Sequence, residues 1–310
     1  MSAWKQAKKR DGHRFYFREF DSIDEMVGCR VSKENREQIG NGYSIEQIKK
    51  ATGKIKARDP EWYGHREGNK GALKIARYVE GWAEGHKLIE EASEGLNVAC
   101  PRVKRRKRKR CLGPQGMTVN MDQVWAGNLD RAWHTFKRET RDGAGNQCVR
   151  FYVNVGGNCG ISASQMVWSA AAVAIAAKVL EQAGVPTEII GCAAGVHIGK
   201  KVKDGKEVSQ LYTFPLKKEG EPLDLDRIIR FTCHAGIFRT VGFKVIASTP
   251  GVRSFSSLGQ SKSFTSVARR AGIKLPAGAI VGPFSDDCKT SQQALAWLTK
   301  TLEPFGLEEK

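Results

Sequence analysis

The stretch Val149-Arg-Phe-Tyr-Val-Asn-Val155 begins the part of the sequence that decides the fold. A glycine-rich segment, Gly156-Gly-Asn-Cys-Gly160, follows directly. The chain then runs through an almost wholly apolar segment from Ser164 to Ala183 and the β-rich stretch Thr187-Glu-Ile-Ile-Gly-Cys192. A strand, a glycine loop, a buried helix and a second strand in this order are typical of a βαβ unit. The pattern predicts two parallel strands joined by a right-handed crossover.

Further strand and helix patterns alternate around this unit and extend the predicted sheet. The expected strands are Val208 to Leu216 at the sheet edge, Phe243 to Ser248, and Ala279 to Gly282. The expected helices are Met121 to Thr140, Leu223 to Phe238, and Gln292 to Leu302. This alternation predicts an α/β domain over residues 117–310, with three layers and a mostly parallel, Rossmann-like sheet.

The first hundred residues carry helix patterns instead. Ser22-Ile-Asp-Glu25 and Ser44-Ile-Glu-Gln47 both fit the capping box that opens many helices. The apolar residues from Ala72 to Ala92 mostly recur at three- and four-residue steps, which is the spacing of one helix face. Residues 1–100 are therefore expected to form a mainly helical N-terminal region.

Composition limits the class of protein. The 310 residues include 51 Lys and Arg against 33 Asp and Glu, for a formal net charge of +18. No run of apolar residues approaches the length of a membrane span, and the basic N-terminus has no apolar signal core. Eight cysteines at scattered spacings, with no CxxC, favour reduced core thiols over a disulfide framework. We expect a cytoplasmic protein that does not bind membranes.

One short run holds much of the positive charge. Eight of the nine residues from Arg102 to Arg110 are cationic, namely Arg102, Lys104, Arg105, Arg106, Lys107, Arg108, Lys109 and Arg110. Such a block repels itself, so residues 101–116 are expected to form a solvated linker or arm. The phosphates of DNA or RNA would relieve the repulsion, largely independently of sequence. An acidic protein surface is the alternative partner, and a merely solubilising linker is the third interpretation.

The motifs of common catalytic sites are missing or incomplete. The segment 156–160 lacks the GxGxxG of dinucleotide-binding folds, and Gly195-Val-His-Ile-Gly-Lys-Lys201 falls short of a P-loop. The six histidines form no HExxH or HxH pattern, so no metal site is expected from them. Cys159 at a helix N-terminus is a possible nucleophile, but no catalytic partner can be assigned to it. We therefore predict no catalytic residue and no cofactor.

The βαβ unit and its flanking residues resemble the opening of a von Willebrand factor A-like domain, as in cobaltochelatase-type and ATPase-associated members. The resemblance covers roughly residues 148 to 305 and rests on Phe151 to Gly160, the alanine-rich helix and Gly184 to Gly191. That family carries a D-x-S-x-S motif whose carboxylate and hydroxyls bind Mg²⁺. Asn154, Gly156 and Asn158 stand at those three ligand positions here. Because the anionic ligand and both hydroxyls are replaced, the resemblance implies a degenerate site without metal.

The whole chain is also similar to an uncharacterised bacteriophage protein family. The segments that carry this similarity are Phe20 to Glu25, Trp62-Tyr-Gly64, Gly81-Trp-Ala-Glu-Gly85, Val124 to Gly127, and His234 to Phe243. Together these features predict a non-enzymatic phage protein in the host cytoplasm, with a von Willebrand A-like scaffold and a basic arm on nucleic-acid phosphates. The alternative is an adaptor for an ATPase or another host protein. An enzyme that uses the loop 156–160 is the third hypothesis.

Overall fold

The computed structural model describes residues 2–10, 13–30, 63–67, 69–77, 82, 83, 85, 87, 108–116, 118–138, 148–157, 161–198, 207–252 and 260–305. Ten strands occur in these ranges: β1 (Lys5–Arg10), β2 (His13–Glu19), β3 (Arg108–Gly113), β4 (Thr118–Val119), β5 (Trp133–Arg138), β6 (Val149–Asn154), β7 (Thr187–His197), β8 (Val208–Lys217), β9 (Gln260–Lys262) and β10 (Ile280–Val281).

The same ranges contain nine α-helical segments: α1 (Ile23–Val27), α2 (Asn69–Ala76), α3 (Met121–Trp125), α4 (Ala163–Gln182), α5 (Leu225–Cys233), α6 (Ala235–Ile237), α7 (Phe243–Ala247), α8 (Phe264–Ala271) and α9 (Ser291–Leu302). A π-helical turn, Phe238–Gly242, joins α6 to α7. Two short 3₁₀ segments lie at Leu129–Arg131 and Glu303–Phe305.

Within the described residues, seven strands form the main sheet in the order β1-β2-β8-β7-β6-β10, with β9 also paired to β7. The pairs β2–β8, β6–β7 and β6–β10 are parallel, whereas β1–β2, β7–β8 and β7–β9 are antiparallel. The fold is thus a mixed α/β one, and the parallel β6–α4–β7 unit predicted from the sequence is confirmed. The strands β3, β5 and β4 form a separate, antiparallel sheet in that order.

Helices cover both faces of the main sheet. Phe151 and Val153 of β6 pack with α4 in the larger core cluster, while Tyr152, between them in sequence, packs with Phe264 of α8 in a second cluster. Alternate strand residues point to opposite faces of a sheet, so these two clusters lie on its two sides. The carboxyl end of β6, which carries the glycine loop, therefore lies between layers of helix.

Among the described residues, α4 alone is long and apolar enough to cross a membrane by length and composition. Its 20 residues begin at the N-cap Ser162, whose side chain and that of Gln165 form a complete capping box. In its most apolar window, 67% of the residues are buried inside the protein. The central alanines from Ala170 to Ala177 are all buried in the core, as the small residues of a helix close to a sheet should be.

The structure corrects the predicted N-terminal region. Among the described residues of 1–100, β1 and β2 form a hairpin and β2 runs parallel to β8, so this part of the chain is not clearly helical. For the same reason β8, expected at the edge, lies inside the sheet between β2 and β7. Of the helix predicted from Ala72 to Ala92, the structure describes a continuous part only in α2. The predicted capping box Ser44 to Gln47 lies outside the described residues.

Two element assignments farther along the chain were also wrong. The helix expected from Met121 to Thr140 ends at Trp125, and a turn with Gly127 at a φ of 75° leads into β5 instead. The strand expected from Phe243 to Ser248 is helical, because it continues the run of helical turns that begins at Ala235. Short apolar segments do not distinguish a strand from a buried helix by periodicity alone.

Candidate functional site

The carboxyl end of β6 holds the first of the predicted site residues, Asn154. Its side chain is buried, with 3% of its surface exposed. The amide nitrogen Nδ2 donates to the carbonyl of Gly282 at 3.0 Å, and Oδ1 accepts from the backbone N–H of Phe264 at 3.4 Å and from the Cys192 thiol at 3.8 Å. Asn154 thus links β6 to the segment after β10 and to the start of α8. Its donors and acceptors are engaged in protein contacts.

Serine hydroxyls lie close to Gly156 and Gly157, the two described glycines after β6. A Cβ atom at Gly156 would lie 2.8 Å from Ser261 Oγ, and one at Gly157 would lie 2.9 Å from Ser285 Oγ. Ser285 Oγ also donates to the carbonyl of Gly156 at 2.7 Å. A serine at position 156, as the von Willebrand A motif requires, would therefore meet Ser261. Asn158 and Cys159 lie outside the described residues.

The described part of the chain contains no group of three or more His, Cys, Asp or Glu residues that could hold a metal ion. All six cysteines described there are free thiols. Four of them, Cys29, Cys192, Cys233 and Cys288, are buried, and burial raises the pKa values of the last three. A thiol with a raised pKa is a poor nucleophile near neutral pH, so these three behave as core residues.

A cluster of aromatic and histidine rings lies next to α2 and α6. His234 is buried, and its Nδ1 accepts the N–H of Ile237 at 3.3 Å. Its ring centroid lies 4.5 Å from that of Trp82 and 6.2 Å from that of His65. Burial, together with the neighbouring His65, lowers the pKa of His234 to about 3, so the ring is neutral at physiological pH. Neither His234 Nε2 nor Trp82 Nε1 has a hydrogen-bond partner among the described residues.

Next to this cluster, α6 packs closely against α2 and a buried arginine contacts the start of α4. A Cβ atom at Gly236 would lie 2.6 Å from the carbonyl of Tyr63 and 2.8 Å from Cβ of Ala72. Glycine at this position therefore allows α6 to approach α2 closely. Arg239, in the same segment, is buried and donates from Nη2 to the carbonyl of Ile161, at the start of α4. These residues hold the helices together around the glycine loop.

The basic run is only partly described, and its end is a strand. Arg108, Lys109 and Arg110 form the first half of β3, so the predicted loop or arm is wrong for these three residues. The register places Arg108 opposite Arg138 and Lys109 opposite Lys137 of β5. Two like-charged pairs thus lie across one antiparallel ladder. The other predicted contact residues lie outside the described residues, namely Arg102, Lys104, Arg105, Arg106 and Lys107.

The end of β4 and the segment between β4 and β5 carry exposed apolar side chains that sequence reasoning missed. We call these side chains the apolar patch, which consists of Val119, Met121, Trp125 and Leu129. Trp125 is 83% exposed, Leu129 65% and Met121 54%. The signal in the sequence was the spacing of Met121 and Trp125, which places them four residues apart on one helix face.

The comparisons with known proteins place the chain in a family. A family model described as a domain of unknown function, DUF7192, matches residues 6–309. The chain belongs to this family. The DUF7192 match includes both sheets, the glycine loop, the basic strand β3 and the apolar patch. No curated protein and no solved structure matches the chain.

Proposed function

We propose that this DUF7192 chain is a non-enzymatic binding protein that contacts nucleic-acid phosphates through β3 and the basic run before it. The observation that carries the proposal is the pairing of Arg108 with Arg138 and of Lys109 with Lys137 in the β3–β5 ladder. Like charges directly opposite each other destabilise a ladder. The two like-charged pairs concentrate cations at one end of the two-stranded β3–β5 ribbon.

Electrostatics favours a polyanion as the partner of this ribbon. The three cations of β3 follow directly on Arg102 to Lys107, which add five more cationic residues, and β5 places two cations opposite them. Binding of a phosphate backbone releases condensed counterions and removes the repulsion between the cations. Contacts of this kind are made to phosphates and carry little sequence information, so DNA and RNA are both candidate ligands.

The test is fluorescence anisotropy of labelled single- and double-stranded oligonucleotides at several salt concentrations. The binding variant combines Arg108→Gln, Lys109→Gln and Arg110→Gln. Each lost phosphate contact lowers the slope of log K against log salt by about 0.9 for duplex DNA, so the triple variant should lose about 2.7 from that slope.

A matched control removes the same charge elsewhere. Lys262, Lys274 and Lys300 are exposed residues on other elements, and changing all three to Gln lowers the net charge by the same amount. If this control weakens binding as much as the β3 variant does, net charge and not the ribbon is responsible. Absence of binding by the wild-type protein at low salt would refute the proposal.

Stability provides a second readout for the same ribbon. Because Lys109 lies opposite Lys137, Lys109→Gln should stabilise the free protein by a few tenths of a kcal/mol, about 0.2 to 1, while it weakens binding of nucleic acid. Higher stability together with lower affinity is expected when the substituted residue contributes to ligand binding at the expense of the free protein. A residue that merely keeps the protein soluble would not show both.

An adaptor for another protein is the second candidate function, and the exposed side chain of Trp125 favours it. Aromatic residues are enriched at protein interfaces. A specific protein partner would persist at moderate salt with a defined stoichiometry, whereas phosphate binding would weaken steeply. Competition between an oligonucleotide and the captured partner for β3 distinguishes the two.

The finer fold assignment also belongs to this proposal. A von Willebrand A-like scaffold is supported by the parallel β6–α4–β7 unit and by the position of Asn154 and Gly156 at the carboxyl end of β6. The bacteriophage origin and the cytoplasmic location expected from the sequence stay predictions. They are not needed for the proposed binding of phosphates.

A further inference from the structure

We infer that the apolar patch stacks on the bases of single-stranded nucleic acid while the β3–β5 ribbon binds its phosphates. The inference rests on the proposed function and adds a ligand class to it, because stacked, paired bases inside a duplex do not present their faces to a side chain. Single strands do, and stacking on an aromatic ring tolerates any base. The protein would therefore prefer single strands over duplexes.

The exposure of Trp125 is the first observation behind this inference. A tryptophan side chain usually buries most of its large surface, but Trp125 is 83% exposed. Met121, four residues before it, and Leu129, four residues after it, are also more than half exposed. Several large apolar side chains exposed on one short folded segment are typical of a binding surface.

The segment that presents the patch is held in place by hydrogen bonds. The side chain of Asn120 caps α3 by accepting from the N–H groups of Asp122 and Gln123. The N–H of Asn120 donates to the carbonyl of Ala132 at 2.7 Å, which closes the segment at its base. The N–H of Asn128 donates to the carbonyl of Gln123 at 2.8 Å. The backbone that carries Trp125 is therefore already ordered before a base stacks on the ring.

The patch lies at the end of β4 and in the segment that joins β4 to β5, and the cations lie on β3 and β5 of the same small sheet. β4, which ends at Val119, pairs with the start of β5, whereas Lys137 and Arg138 lie at the other end of β5. A six-residue strand spans about 17 Å, which equals the length of about five stacked nucleotides in one strand. A single-stranded nucleic acid of modest length can therefore contact the phosphate-binding cations and the patch together.

The charges around the patch favour base faces over other partners. Asp122 and Asp130 are both exposed within the same segment. Their carboxylates repel phosphates, anionic lipid headgroups and acidic protein surfaces at the patch itself. A base is uncharged and apolar on its faces, so it can stack on Trp125 while its phosphates extend toward the ribbon. A nucleic acid thus separates its uncharged base faces from its charged phosphates, whereas an acidic protein surface does not separate its apolar and charged groups in this way.

The experiment compares two ligands of equal charge, a labelled oligothymidine of about 12 nucleotides and an abasic strand of the same length, both longer than the distance along β5. The wild-type protein should bind the strand with bases more tightly. Trp125→Ala should weaken that binding by about 5- to 150-fold, the range measured for one stacked base. It should leave the affinity for the abasic strand and the salt slope unchanged.

Two further variants separate stacking from other contacts. Trp125→Phe keeps an aromatic ring and should retain most of the affinity, whereas Trp125→Leu keeps an apolar side chain and should lose as much as Trp125→Ala. Because Trp125 is almost fully exposed, all three variants should fold, and unchanged thermal melting checks this. Retained affinity in Trp125→Leu would overturn the inference in favour of simple apolar contact.

The outcomes distinguish this inference from the proposed function. If the wild-type protein binds both strands equally in a salt-dependent way, the ribbon binds phosphates and the inference is wrong. If Trp125→Ala leaves oligothymidine binding intact but abolishes the binding of a partner protein, the patch is a protein interface and the inference is again wrong. If neither strand binds, both proposals fail.

Discussion

Acid should destabilise this protein through one buried histidine. The pKa of His234 is about 3 in the folded protein, because burial and the neighbouring His65 disfavour its charged form, and it is 6.5 without these effects. Below pH 6.5 the unfolded chain therefore binds a proton at this residue that the folded protein does not, and stability falls as the pH falls. Each pH unit in this window removes about 1.4 kcal/mol. Between pH 7 and pH 5 the expected loss is about 2 kcal/mol.

The assay is urea unfolding at both pH values for the wild-type protein and for His234→Asn. An asparagine side chain can still accept the N–H of Ile237, which His234 Nδ1 accepts at 3.3 Å, but it does not titrate. The variant loses ring contacts with Trp82 and is less stable at every pH, so the comparison concerns only the change between pH values. The variant should lose about 2 kcal/mol less than the wild-type protein does.

Other titrating groups are present in both proteins and cancel in this comparison. Burial raises the pKa of Glu181, but hydrogen bonds from Lys217 and Thr187 outweigh this effect and hold it below its usual value. The stabilisation by Glu181 is thus lost only as the pH falls below about 4.5, outside the window. If the wild-type protein and His234→Asn lose stability in parallel from pH 7 to pH 5, the assignment to His234 is refuted.

Three further substitutions test how the core is held together, each by urea unfolding against the wild-type protein. Asn154→Asp should cost about 3 kcal/mol, because a buried carboxylate would face the carbonyl of Gly282, and Mg²⁺ should not restore the loss; a smaller cost would show that this contact is dispensable. Gly191→Ala should cost at least about 1 to 3 kcal/mol, because the new Cβ would lie 2.2 Å from the ring of Phe214 in a strand interior; an unchanged midpoint would contradict this close approach. Lys217→Met should cost about 2 kcal/mol, because the buried Nζ of Lys217 lies 2.9 Å from the carboxylate of Glu181 and donates to the carbonyl of Thr187 at 2.6 Å. Equal stability of the variant would mean that packing of the methionine compensates for these lost contacts.

The sequence predicted the centre of the fold well because that part is decided locally. The strand, glycine loop, apolar helix and strand from Val149 to Cys192 each have a strong pattern of their own, and both strands and the helix appear in the structure. The helix Gln292 to Leu302 and the short strand at Ile280 were found in the same way. Hydrophobic periodicity, together with glycine and proline at the ends of elements, suffices to predict a segment whose structure is decided by its own sequence.

The errors come from pairing partners distant in sequence. Nothing local in His13 to Glu19 shows that it runs beside β8, so the N-terminal region was assigned to helices and β8 to an edge. The basic ribbon was missed for the same reason. Lys137 and Arg138 join the cations of β3 only because their register places them opposite Lys109 and Arg108. That register is set by the whole small sheet. The helix from Met121 was predicted too long because the turn at Gly127 was not recognised.

The place of β2 in the main sheet has a consequence for how the protein is made. Its register partners Arg14 and Val208 are 194 positions apart. At the usual rates of translation, the β1–β2 hairpin leaves the ribosome about 10 to 40 s before β8 has been synthesised. During that time one edge of β2 has no strand to pair with, although the hairpin itself can form. An unpaired edge recruits other strands, so the newly made chain is most prone to aggregation before the sheet closes.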